Sequence, residues 1–136
     1  MDEALLDAFR TTDYLVCLDE VEWATIRVDQ PLPEPLHRLV GQRAWGFITA
    51  WHPQVQVRTA TDNLVAQRKL LAALRTWPGA VVHPAIGIGA SGWHEPSLFV
   101  IGPEPATLDA LARRYRQVAY VYGQGSEPAC LRLLRT

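Results

Sequence analysis

Two segments of this chain, Trp45-Gly-Phe-Ile-Thr-Ala-Trp51 and Ser97-Leu-Phe-Val-Ile101, read as strands with no wet face. Successive strand side chains point to opposite sides, so Trp45, Phe47, Thr49 and Trp51 share one face and Ile48 and Ala50 the other. Phe99 and Ile101 oppose Leu98 and Val100 in the same way. A sheet with one face in water alternates apolar and polar residues instead. These strands therefore need cover on both sides. The second cover must come from the first 43 residues or from another subunit, and the apolar content of Tyr14 to Val28 favours the former.

The remaining pattern supplies an order of elements. Asp2 to Arg10 carries Leu5, Leu6 and Phe9 on one side of a short helix. Tyr14 to Leu18 and Glu22 to Val28 have the β-branched and aromatic content of strands, and Pro33 to Val40 reads as a helix stopped by Gly41. Asp62 to Trp77 is a helix closed by Pro78-Gly79, and Ala80 to Ile86 is a strand. Pro105 to Arg116 is a helix with proline in its first turn, and Val118 to Tyr122 and Ala129 to Leu134 are strands. The order from Ala44 onward is β-α-β-β-α-β with an additional C-terminal strand. The expected fold is α+β, a ferredoxin-like split β-α-β core in an antiparallel-rich sheet, within one domain spanning residues 1–136.

Composition narrows the function classes. A chain of 136 residues can bury roughly two-thirds of the surface its unfolded form exposes, and Cys17 and Cys130 form no disulfide framework. The near balance of 13 basic and 14 acidic residues argues against a polyanion-coating protein. No apolar run is long enough for a membrane span and the start MDEALLDAF lacks a basic signal-peptide region, so a cytoplasmic protein without membrane contact is expected.

Gly87-Ile-Gly89-Ala-Ser-Gly92 satisfies GxGxxG. A dinucleotide fingerprint must open a helix, however, and here Trp93-His94-Glu95-Pro96 and a strand follow. A glycine-rich hairpin is expected, with no cofactor. Phe47 and Phe99 occupy positions that an RNA-recognition motif uses for base stacking, but strand 97–101 has no K/R-G-F/Y string, so buried core is the expected role. Arg113, Arg114 and Arg116 fit a solvated helix end.

The split topology brings one set of polar residues to a common sheet edge. Thr49 and His52 end the first strand, Thr61, Asp62 and Asn63 open the helix, Ser91, His94, Glu95 and Ser97 flank the hairpin, and Gln117 precedes the next strand. Each has a local role open to it, with Thr59, Thr61 or Asp62 as helix cap and Gln117 as a solvated loop residue. Their convergence points to a ligand site. Glu95 is the candidate acid or base, because Trp93 and Pro96 beside it would desolvate a carboxylate; the competing role is tying the hairpin to Thr49 or Asn63. His52, His94 and Glu95 lack the HxH or HxxxH spacing of a metal site, so no metal is expected.

Phe47-Ile-Thr-Ala-Trp-His-Pro53, Asn63, Trp93-His-Glu-Pro-Ser97 and Gln117-Val-Ala119 together resemble the bacterial domain of unknown function 3293 family, from about Tyr14 to Leu134. The resemblance implies Thr49, Asn63, Glu95, Ser97 and Gln117 as recurrent polar positions and carries no activity. Its usual asparagine before the proline is His52 here, which replaces only part of an amide's hydrogen bonding.

The expected function is binding of a small polar or anionic ligand by Thr49, His52, Asn63, Glu95, Ser97 and Gln117, with an anion favoured at the N-terminus of helix 62–77. The alternative is a protein-interaction module, a homodimer or partner complex formed through a sheet face or the edge strand Ala129 to Leu134. Single-stranded RNA binding through Phe47 and Phe99 is the weaker alternative.

Overall fold

The computed structural model describes residues 2–52 and 56–134; Pro53 of the family-like stretch and the side chain of Ser91 lie outside the described residues. The elements run α1 (Glu3–Thr11), β1 (Asp13–Cys17), β2 (Trp23–Ile26), α2 (Glu34–Val40), β3 (Ala44–Ile48), α3 (Ala60–Arg75), β4 (Val81–Ile88), a 3-10 turn (Ala90–Gly92), β5 (His94–Ile101), α4 (Pro105–Arg114), β6 (Ala119–Gln124) and β7 (Cys130–Leu133). The strands form one antiparallel sheet in the order β2-β1-β4-β5-β3-β6-β7, and with its helices the protein is α+β. No described helix is long and apolar enough to cross a membrane.

Both faces of β3 and β5 are covered. Ile48, Leu98, Val100 and Tyr120 pack against Leu70 and Leu74 of α3 and Leu108 and Ala112 of α4. Gly46 admits α4 to this face, since a Cβ there would fall 2.6 Å from Leu108 Cδ1. On the other face Trp45, Phe47, Phe99, Ile101 and Val121 join a core with Leu36 and Val40 of α2, Tyr14 and Val16 of β1, and Ala24 and Ile26 of β2. The first 43 residues thus supply the second cover, but not as a separate layer. β1 and β2 extend the sheet by pairing beside β4, and α2 lies across it. Phe47 and Phe99 are 4% and 0% exposed, so this ring pair presents no open stacking surface to RNA bases.

Several boundaries move, each for a local reason. The first core strand stops at Ile48 rather than Trp51, because side chains from α3 take the next backbone N–H groups: Ala50 N donates to Gln67 Oε1 at 2.8 Å and His52 N to Asn63 Oδ1 at 2.9 Å. The helix begins at Ala60, with Thr59 Oγ1 accepting from Asp62 N at 3.1 Å as its cap. The glycine run is a hairpin shorter than expected: β4 reaches Ile88, which pairs with His94, and Gly92 turns the chain at a φ of 76°. Among the described residues β7 pairs with β6 alone, and it is pinned to α4 through Arg132, which binds Asp109 at 2.7 and 3.1 Å.

Candidate functional site

One row of the sheet creates the site. Tyr14 of β1 is paired with Gly87 of β4, and Gly87 with Glu95 of β5. Residues directly opposite one another in a ladder project to the same face. The middle position of this row has no side chain, so a gap opens between the Tyr14 ring and the Glu95 carboxyl. α1 lies over the gap with Leu5, Ala8 and Phe9; Thr12 just after it, Phe47, Val121 and Ala119 continue the wall. The result is a cavity of about 530 Å³, well within the roughly 300–1,000 Å³ of small-molecule sites.

The cover is lightly held. Asp2 Oδ1 caps α1 through Leu5 N at 2.9 Å, yet no residue of the helix is buried. Its C-terminal end is tied down where the Tyr14 hydroxyl donates to Phe9 O. Tyr14 is 6% exposed and stacks edge-on against Phe47 at 5.0 Å.

Five of the six expected site residues line this cavity: Thr49, His52, Glu95, Ser97 and Gln117. Three of them are committed to nearby backbone. Thr49 Oγ1 donates to Pro96 O at 2.8 Å and accepts from Trp51 N at 3.0 Å, which stitches the end of β3 to β5. Ser97 Oγ donates to Glu95 O at 3.1 Å. Gln117 Nε2 donates to Trp51 O at 3.2 Å and Tyr115 O at 3.3 Å.

Asn63 stands behind the wall, 1% exposed. Its Oδ1 accepts from His52 N, which turns its Nδ2 toward His52 Nδ1 at 3.1 Å. Arg58 N donates to the same Nδ1 at 3.1 Å. Two donors on Nδ1 require a lone pair there, so the imidazole proton sits on Nε2. His52 itself has a φ of 46°, a left-handed conformation in which asparagine and histidine are both enriched, so histidine sits at this turn as readily as asparagine would.

Glu95 differs from its neighbours. Among the described residues its carboxyl has no hydrogen-bond donor and no cation against it. Burial pushes it up to about 8, so it holds its proton at neutral pH. Trp93 lines the cavity with it, whereas Pro96 points to the opposite face. The carboxyl does not tie the hairpin to Thr49 or Asn63; Thr49 uses the Pro96 carbonyl instead. The N-terminus of α3 contributes nothing to the cavity wall, and no Lys or Arg among the described residues lines it. His94 is exposed, with Nδ1 at 3.3 Å from Gly92 O, and among the described residues no three His, Cys, Asp or Glu side chains converge on a common point.

Three contributors escaped the sequence reading: Tyr14, Gly87 and Gln67. Gln67 had a legible signal, because Asn63, Gln67, Leu70 and Leu74 share the buried stripe of α3 at helical spacing. Two amides on such a stripe must bond something inside. Tyr14 and Gly87 are joined only by strand register, which local pattern does not encode.

No curated protein and no solved structure matches this chain. A family model matches residues 48–120, a segment holding all six expected site residues and Gly87 but not Tyr14 or α1. The chain belongs to the family described as Protein of unknown function (DUF3293).

Proposed function

We propose that this protein binds a small molecule with an apolar body and a polar head group in the cavity between α1 and the sheet, with Glu95 at the polar end. Thr49, His52, Ser97 and Gln117 shape that end, and Asn63 holds His52 in place. The observation that carries the reading is the Tyr14-Gly87-Glu95 row: a glycine where a side chain would fill the core, beside an acid with no protein partner among the described residues. A core closed for packing alone would leave neither. The order β4-β5-β3-β6, with α3 and α4 on one face, supports a ferredoxin-like reading of the core, and we take the chain as one cytosolic domain. If the bound molecule reacts, Glu95 is the acid or base, since a carboxyl near 8 both donates and accepts a proton around neutral pH.

Gly87→Val tests this. A Cβ at Gly87 meets nothing closer than Thr12 Cγ2 at 3.6 Å, so the valine enters the cavity without a clash at its root. In a thermal-shift screen of metabolites and small aromatic and aliphatic compounds, one class should stabilise the wild type, by about 2.7 kcal/mol at a hundredfold excess over Kd. The same class should leave Gly87→Val unmoved. Equal shifts in both proteins, or none in either, would count against the cavity. The alternative of docking through an edge strand rests on β7, whose outer side has no partner strand among the described residues and whose Leu133 is exposed; concentration-dependent mass in solution is its test.

A further inference from the structure

We infer that the head group bound in this cavity is a cationic amine, a deepening of the ligand-binding reading above and dependent on it. Ser97, Thr49, Tyr14 and Thr12 each spend their hydroxyl proton on a backbone or side-chain acceptor, and Gln117 spends its amide hydrogens on Trp51 O and Tyr115 O. The polar capacity left without a partner among the described residues is of the opposite kind: both Glu95 oxygens and Gln117 Oε1. A molecule that satisfies these groups brings N–H donors, and an ammonium group brings three and a charge. Among the described residues the donors left over are His52 Nε2–H, the indole N–H of the half-exposed Trp93 and the Glu95 O–H, the last of which is lost once the carboxyl ionises.

Charge selects in the same direction. The titratable residues on the wall are Tyr14 from β1, His52 after β3, Glu95 from β5 and Tyr120 from β6, whose hydroxyl is spent on Asp109 in the core of the opposite face; α1 and β4 contribute none. Once Glu95 ionises, an anionic head group would meet its charge with no Lys or Arg among the described residues to offset it, whereas a cation completes a buried pair. The aromatic rings of Phe9, Phe47, Tyr14 and Trp93 suit the body of an aryl or alkyl amine, and their faces attract a nearby cation.

Three probes with one body separate the head groups: 2-phenylethylamine, 2-phenylethanol and phenylacetate, titrated calorimetrically into wild type, Glu95→Gln and Gly87→Val. At about pH 9 an ordinary alkyl amine is still mostly charged while Glu95 is ionised. There the amine should bind about tenfold or more tighter than the alcohol, and phenylacetate should bind weakest. Toward about pH 6 the amine should weaken and its binding should release a proton, seen as a heat that varies with the buffer's ionisation enthalpy. Glu95→Gln should bring the amine down to the alcohol and abolish the proton release. Equal or tighter binding of the alcohol or the acid, blocked by Gly87→Val, would overturn the amine and leave the cavity standing. Failure of all three probes on the wild type would overturn both.

Discussion

Asn63 and His52 form the smallest unit on which the site depends. A fully buried amide that satisfies a backbone N–H and an imidazole nitrogen together has no water to replace it when removed. Losing a partner from buried polar groups costs about 1–3 kcal/mol. Asn63→Ala should therefore lower stability by roughly 2–3 kcal/mol, read as a shift in the urea midpoint at unchanged slope. His52→Asn is the informative contrast, because asparagine tolerates the φ of 46° and should cost less than about 1 kcal/mol. If His52→Asn proves as costly as Asn63→Ala, the imidazole makes contacts beyond the Nδ1 lone pair.

At the level of elements, the same side chains explain what the sequence could and could not reveal. Alternation in Trp45 to Trp51 identifies the strand and both of its faces, and the structure keeps those faces. It cannot show where the strand stops, since the stop is made by Gln67 and Asn63, which reach back from the following helix to claim Ala50 N and His52 N. The polar edge was legible because chain order alone brings 49, 95, 97 and 117 together. The cavity beside it was not, because it depends on β1 pairing with β4 so that Tyr14 falls opposite Gly87. α1 shows the same divide: its apolar side is evident in Leu5, Leu6 and Phe9, while the surface it covers is set by that non-local register. A helix with no buried residue, seated over a cavity, opens at low cost. Amides of α1 should exchange with solvent faster than those of α3 and α4, whose Leu70, Leu74, Leu108 and Ala112 are fully buried. Phe9→Ala should weaken binding of the cavity's ligand while costing less than about 1.5 kcal/mol of stability, well below the 3–5 kcal/mol of a buried phenylalanine. Protection of α1 equal to that of α3 would mean that the helix is a fixed wall rather than a movable cover.

For the whole molecule, the unusual carboxyls set opposite limbs of the stability profile. Hydrogen bonds from Arg132, with a further one from Tyr120, hold Asp109 below the ordinary aspartate value. Its folded form binds its proton less readily than its unfolded form, so its contribution is present above the unfolded value and is lost as pH falls through the folded one. Glu95 runs the other way. Its folded form keeps a proton up to about 8, while the unfolded chain releases it near the ordinary glutamate value. Between those values the folded state binds the extra proton, so stability declines as pH rises and levels off above about 8. Each tenfold difference in proton affinity carries about 1.4 kcal/mol, which places the whole decline on the order of 5 kcal/mol. The wild type should therefore be most stable on the acid side of neutrality, and its urea midpoint should fall between about pH 5 and about pH 8.5. Glu95→Gln removes the titrating group while keeping its size, so its midpoint should stay level over that interval and exceed the wild type's at the alkaline end. Parallel profiles for the two proteins would mean that water reaches the Glu95 carboxyl, and the acid would lose the isolation on which its role in the cavity depends.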